Sequence, residues 1–196
     1  HGLPQCYPLP DAQQPITENF SFFNQADLTT LHQAYASTLE QNMIDHWPAG
    51  ETYALDLLDE FVRKRLNHYK QARDFPAQVG TSQLSAYLNI GILSIRQCIQ
   101  ALFRQQHGDF VIQSESQQVW LDELLWREFY QHILFDFPQV SKHLPFKSST
   151  QNIPWRDDPI ALEQWQQGKT GIPIVDAGMR QLLATGWMHN RVRMIC

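Results

Sequence analysis

Cysteine is scarce in this 196-residue chain: Cys6, Cys98 and Cys196 are three, widely spaced and without a C-x-x-C pair. An odd, scattered set of this kind excludes a disulfide framework and a cysteine-based zinc site, and reduced thiols imply a cytoplasmic setting. No apolar run approaches the length of a membrane span, and no signal-peptide pattern opens the chain. Lys and Arg are absent from the first sixty positions, which hold nine Asp/Glu; residues 61–196 hold fifteen Lys/Arg against eleven acids. The net charge of −5 therefore divides into a segment of −9 and a segment of +4. The acidic part should face away from a polyanion, whereas the basic remainder is free to approach one.

Familiar catalytic signatures are missing too. There is no G-x-S-x-G and no convincing Ser/His/Asp order. His132, His143 and His189 lack metal-ligand spacing, so no metal site is expected. Gly168-Lys169-Thr170 is similar to the end of a P-loop, but Glu163 stands where that loop needs a glycine. No internal repeat is visible, and no segment alternates as a strand.

What is present is a folded, Trp-rich composition, 43% hydrophobic and 12% aromatic. Four prolines among the first fifteen residues (Pro4, Pro8, Pro10, Pro15) give linker composition, and the chain opens on His1 rather than methionine, which reads as a piece of a longer protein. Asp27–Asn42 has helical spacing through Leu28, Leu31, Tyr35 and Leu39, and Pro48–Gly50 ends that region. Glu51–Tyr69 reads as a helix with Leu55, Leu58, Phe61, Val62 and Leu66 three and four apart. Thr81, Ser82 and Ser85 open the next run, as ordinary caps or as an anion-binding turn. Gly91 ends that run, and Ser94 caps a helix reaching about Gln106. Residues 110–118 read as loop.

The longest helical pattern, Val119–Phe137, stops at Pro138 and carries Glu123, Trp126, Arg127 and Tyr130 at i, i+3, i+4 and i+7, with Trp120 one turn earlier. A carboxylate among large aromatics needs a partner if buried. An intrahelical pair with Arg127 is the plain reading of Glu123. Lys142–Trp155 reads as a loop.

Gly168–Cys196 is the stretch that organises the chain. A Gly/Pro-punctuated entry leads into a helix through Ile174, Val175, Met179, Leu182 and Leu183, with Gly186 as its C-terminal cap. A second helical run then places Trp187, Asn190, Arg191 and Met194 on one face, with Arg193 beside Asn190. An aromatic, an amide, guanidinium groups and a thioether on one face suit a planar ligand bearing phosphates. A buried interhelical polar network is the alternative on these residues alone.

The segments GKTGIPIVDAGMRQL…TGWMHNRVRM, RDFPAQVGTSQLSAYLNIGILSIRQC (Arg73–Cys98) and VWLDELLWREFYQHI (Val119–Ile133) together resemble the flavin domain of the DNA photolyase/cryptochrome family, closest to its class I cyclobutane pyrimidine dimer photolyases. The likeness runs from about Tyr69 onward. It implies an all-α flavin domain: residues 1–50 form an acidic interdomain connector after an antenna domain, and residues 51–196 the N-terminal portion of the helical domain. Implied cofactors are FAD and, in a full-length parent, an antenna chromophore of the folate type, which Lys142 would touch. The implied partner is DNA containing pyrimidine dimers, with no membrane and a monomeric parent.

Carried residue by residue, the resemblance assigns Tyr69, Thr81, Ser82, Leu84, Ser85, Trp120, Arg127, Trp187 and Arg193 to the flavin. It assigns Glu123, Trp126, Asn190 and Met194 to catalysis, Arg73, Trp126 and Arg191 to DNA, and Trp155 to electron transfer. The implied activity is light-driven dimer repair by electron transfer from reduced FAD. A cryptochrome-type photoreceptor and a ligand-free helical bundle are the alternatives. Since only one side of the flavin cavity is expected here, this piece alone is expected to carry little flavin and to repair nothing.

Overall fold

The computed structural model describes residues 45–104 and 109–196. The helix expected over Asp27–Asn42 and the connector assigned to residues 1–50, apart from 45–50, lie outside the described residues. Among those described, every regular element is helical. They are α1 (Glu51–Glu60), α2 (Tyr69–Ala72), α3 (Ser85–Asn89), α4 (Ile95–Phe103), α5 (Glu115–Asp136), α6 (Pro159–Gln166), α7 (Pro173–Thr185) and α8 (Asn190–Ile195). None is long and apolar enough to cross a membrane.

Between α1 and α2 the coil does not break but changes pitch, through a π turn at Phe61–Arg65 and a 3₁₀ turn at Leu66–His68. The sequence shows why. Ala54, Leu58, Phe61, Leu66 and Tyr69 are all buried, and their steps are four, three, five and three. A five-residue step would leave one face of an α-helix, because each residue turns the chain about 100°. A π turn absorbs the extra residue, with the Leu66 N–H bonding to the Phe61 carbonyl. The single helix expected over Glu51–Tyr69 is thus a continuous but uneven coil. Its buried face packs with Leu84, Tyr87, Leu88, Leu93, Cys98, Leu102, Trp120 and Leu124 into the larger core.

α4 starts as expected, with Ser94 and Gln97 forming a reciprocal capping box. α5 corrects the loop expected at residues 110–118. It begins at Glu115, capped by Ser114, whose Oγ accepts the Gln117 N–H at 3.2 Å. Its first turn is polar because Ser116, although buried, bonds across to the other coil: its Oγ donates to the Asn67 carbonyl at 3.0 Å and accepts the Lys70 N–H at 3.2 Å.

A smaller core joins α6, α7 and α8 through Val175, Met179, Met188 and Val192, with Trp165, Leu182 and Cys196 packed against it. α7 ends on Gly186, whose φ of 69° suits a left-handed cap better than any residue with a Cβ. Gly178 lets α8 approach α7, since a Cβ there would lie 2.4 Å from Val192 Cγ1. Two polar ties span the cores: Trp47 Nε1 donates to the Thr185 carbonyl at 2.7 Å, and Arg191 Nε bonds Asp74 at 2.7 Å.

Candidate functional site

A cavity of about 380 Å³ lies where the two cores meet, lined by Tyr69, Thr81, Ser82, Gln83, Leu84, Ser85, Trp187, Met188, Asn190 and Arg193. One wall is the short loop before α3. Gly80 is buried against the end of α2, and a Cβ on it would stand 2.6 Å from the Ala72 carbonyl carbon and oxygen. From that pinned point Thr81 and Ser82 run to Gln83, which takes a left-handed φ of 56°. Arg65, delivered by the π turn, donates from Nη1 to the Thr81 carbonyl at 3.1 Å. The helix expected to open near Gly80 begins only at Ser85, so the hydroxyls of Thr81 and Ser82 lie on a loop rather than capping a helix.

The opposite wall is the segment from Trp187 to Arg193. Trp187 was expected on the same helix face as Asn190, but residues 187–189 are outside any helix and α8 starts at Asn190. Gly186 has already reversed the chain, and His189 serves as the N-cap, its Nδ1 accepting the Arg191 N–H at 3.2 Å. α8 then divides its polar side chains. Asn190 and Arg193 face the cavity, while Arg191 turns to Asp74 and lies 4.0 Å from the Met194 sulfur. The Arg191 bond, its main cause, holds the Asp74 carboxyl below the usual range. Met194 is 72% exposed.

Tyr69 forms the floor. Burial pushes its phenol up to about 12, against the opposing pull of the Arg73 charge. The Arg73 guanidinium lies 5.3 Å from the Tyr69 ring centre and donates from Nη2 to Glu123 at 2.7 Å. Glu123 therefore pairs with Arg73 of the coil after α2, not with Arg127 one turn away. Arg127 instead donates to the Leu88 carbonyl at 3.1 Å, tying α5 to α3. The intrahelical pair loses because Arg73 is mostly buried and its charge needs a close carboxylate.

Of the expected flavin residues, Tyr69, Thr81, Ser82, Leu84, Ser85, Trp187 and Arg193 come together in this cavity, joined by Asn190. Trp120 and Arg127 do not line it: Trp120 is buried in the larger core with its ring centre 5.1 Å from that of Phe61. Trp126 also lies off the cavity and is 53% exposed, with Phe129 and Tyr130 ring centres 5.5 and 6.1 Å away. Trp155 is 82% exposed. Among the described residues no group of acidic, His or Cys side chains could hold a metal ion.

Sequence reading missed Gln83 and Met188 in the wall, and Arg65 and Asp74 behind it. The Gln83 backbone left no signal, since a left-handed residue is ordinarily read from glycine or asparagine. His189 was weighed only as a metal ligand. It is 1% exposed, and burial, with the Arg191 charge second, lowers its pKa below the ordinary histidine range.

A phenol, three hydroxyls, two amides, a guanidinium and an indole around one cavity form a donor set for a phosphate-bearing aromatic ligand. Residues 120–196 match the family described as the FAD binding domain of DNA photolyase. The chain is 49% identical over 150 residues to the deoxyribodipyrimidine photo-lyase of Escherichia coli (strain K12), covering 76% of this chain and 31% of the relative. It is 40% identical over 199 residues to that of Salmonella typhimurium, covering 98% and 39%. It thus spans about a third of the length of these relatives. Among solved structures, a bacterial class III photolyase from Agrobacterium tumefaciens superposes with a TM-score of 0.73 at 42% identity, over 79% of this chain and 31% of that one. A cryptochrome from Synechocystis gives 0.62 at 30% identity, over 75% and 30%. The chain belongs to the DNA photolyase/cryptochrome family, with residues 120–196 matching its FAD-binding domain.

Proposed function

We propose that this chain supplies part of the flavin site of a deoxyribodipyrimidine photo-lyase, which repairs cyclobutane pyrimidine dimers in DNA. In this reading residues 51–196 are the N-terminal portion of the flavin domain and residues 1–50 an acidic connector. The observation that carries it is the cavity, where eight of the residues assigned from sequence converge from elements more than 100 positions apart. Relatives named as deoxyribodipyrimidine photo-lyases support repair over a cryptochrome photoreceptor.

The residues present fit FAD. Thr81, Ser82 and Ser85 offer hydroxyls to a diphosphate or ribityl chain, Arg193 answers anionic charge, and Trp187 and Leu84 give apolar surface to a ring. Reduced FAD, when bound and excited by light, supplies the electron that opens the cyclobutane ring and receives it back. An antenna chromophore of the folate type, a monomeric parent and a cytoplasmic location complete the reading.

This chain's own residues hold the parts in place. Arg73 fixes Glu123 at 2.7 Å and covers Tyr69, so the carboxylate stands one side chain away from the cavity floor. From there Glu123 accepts hydrogen bonds from the pyrimidine edge, or stabilises added charge on it through a proton. Trp126, three residues on and half exposed, offers a face for the extruded bases, worth about 1–3 kcal/mol per base. Asn190 and Met194 flank the lesion, Arg191 draws the DNA backbone, and exposed Trp155 is the outer station for electrons entering from solution. Arg73, turned inward to Glu123 and Tyr69, serves the site rather than the DNA.

The test uses the protein that carries this chain. FAD content is read from its absorbance, and irradiated DNA is assayed for loss of dimers in light and in darkness. Light-dependent loss with bound FAD supports the reading. Bound FAD without repair assigns a photoreceptor, and no FAD overturns both.

A further inference from the structure

Arg65 ends the π turn and stands behind the Thr81–Gln83 loop without lining the cavity. Its Nη1 donates to the Thr81 carbonyl at 3.1 Å, and its guanidinium lies 5.6 Å from the ring centre of the buried Phe61. Nε is buried and has no hydrogen-bond partner. Shielding a guanidinium in this way costs stability unless a counter-charge is near. No ion pair among the described residues uses Arg65. A neutral donor could hold one carbonyl at lower cost, so the tie to Thr81 alone does not account for arginine here.

The charges around the cavity do account for it. Arg73 is matched by Glu123 and Arg191 by Asp74, each at 2.7 Å, so these pairs cancel. Arg193, on the opposite wall, has no carboxylate partner among the described residues, and no acidic side chain lines the cavity. Arg127 is committed to the Leu88 carbonyl and does not line the cavity. Arg65 and Arg193 are thus left as unmatched positive charges, one at each wall. A diphosphate joining two esters carries one negative charge on each phosphorus, which is the complement of that pair.

The loop gives Arg65 a route to such a group. The Thr81 carbonyl shares a peptide plane with the Ser82 N–H, and no described peptide bond is cis, so that N–H points away from Arg65. A cation on the carbonyl polarises the peptide and strengthens the donor at its other end. The Ser82 N–H has no acceptor among the described residues, and Ser82 lines the cavity.

We propose that Arg65 is a positioning residue for a diphosphate: it holds the Thr81–Ser82 peptide with its N–H toward the cavity and, with Arg193, supplies the charge that selects FAD over a flavin without phosphates. The proposal rests on the flavin reading above and extends it, assigning the Thr81–Ser82 wall to the diphosphate rather than to the ribityl chain.

Riboflavin is the probe that separates charge from shape, since it keeps the ring and the ribityl chain but has no phosphate. In the protein that carries this chain, stripped of flavin, affinities for FAD and riboflavin and the thermal midpoint are measured for wild type, Arg65→Gln and Arg65→Lys. Arg65→Gln keeps a donor and loses the charge. It should lose about tenfold in FAD affinity, the scale of one charge-assisted contact, with riboflavin affinity unchanged. Arg65→Lys should keep most of the FAD affinity. Equal losses for FAD and riboflavin in Arg65→Gln overturn the proposal and leave Arg65 as a strut for the loop. Unchanged FAD affinity in Arg65→Gln, or a Lys variant as weak as the Gln one, overturns it too. A wild type that binds riboflavin as tightly as FAD overturns it even where the variants fail to fold. A wild type that binds no FAD overturns the flavin reading instead.

Discussion

Arg73 donates to the Glu123 carboxylate at 2.7 Å, joining residues 50 positions apart, while its guanidinium lies over the ring of Tyr69. This one contact connects the cavity floor to the helix that carries Trp126. Arg73 is mostly shielded and Glu123 partly so, so removing either partner leaves the other without its counter-charge. Arg73→Ala should therefore lower the repair yield per absorbed photon at least tenfold while retaining FAD. Arg73→Lys should recover only part, because an ammonium cannot both bond the carboxylate and lie flat on the phenol ring. Quantum-yield measurements alongside flavin content decide this, and an unchanged yield in Arg73→Ala would free Glu123 from any need of positioning.

The second prediction concerns alkaline pH. Burial raises the Tyr69 phenol from 10.0 to about 12. Between those values the unfolded chain has released a proton that the folded chain retains, so the unfolded state binds fewer protons and stability falls as pH rises. Up to pH 10 the contribution is fully present; by pH 12 about 2–3 kcal/mol is lost. Tyr69→Phe removes this slope. Denaturant midpoints for both proteins across the window measure it, and equal slopes would mean that the phenol is not shielded.

The third prediction turns on space. A Cβ at Gly80 would meet the Ala72 backbone at 2.6 Å, and backbone atoms cannot swing aside as a side-chain tip does. Gly80→Ala should cost about 1–3 kcal/mol and push the Thr81–Gln83 loop off the end of α2. FAD affinity should fall with it, since Thr81 and Ser82 ride on that loop. Calorimetry with flavin titration separates the two effects, and an Ala variant of wild-type stability and affinity would contradict the close approach.

Local signals in the sequence carried far and long-range ones did not. Gly186 and the Ser94 cap were legible because a cap is decided within a few residues. The cavity residues Thr81, Ser82, Ser85, Tyr69 and Arg193 were legible through a family resemblance, since no spacing rule joins positions over 100 apart. The five-residue step from Phe61 to Leu66 hid the π turn, which only burial of both residues against one core explains. Ser116 looked like loop because its polarity serves a partner in another coil. Arg73 and Glu123 each had a plausible local partner or none, and a pairing across two helices leaves no trace in either segment.

The last prediction separates two tryptophans on one helix. Trp120 and Trp126 are both members of α5, six positions apart. Trp120 is enclosed by the larger core against Phe61, whereas Trp126 is half exposed among Phe129 and Tyr130. Trp120→Ala therefore empties a packed site and should cost about 3–5 kcal/mol of stability, with FAD lost only as the fold is lost. Trp126→Ala removes a side chain that packs little, so its thermal midpoint should stay close to wild type. Its loss should appear in binding: DNA containing dimers should bind about 5- to 100-fold more weakly, the scale of one stacked base, while undamaged DNA binds as before. Both DNAs must be compared at one salt concentration, because phosphate contacts alone shift affinity with ionic strength. Equal weakening on both DNAs, or a fall in thermal midpoint matching that of Trp120→Ala, would make Trp126 a packing residue and move the lesion-stacking surface elsewhere.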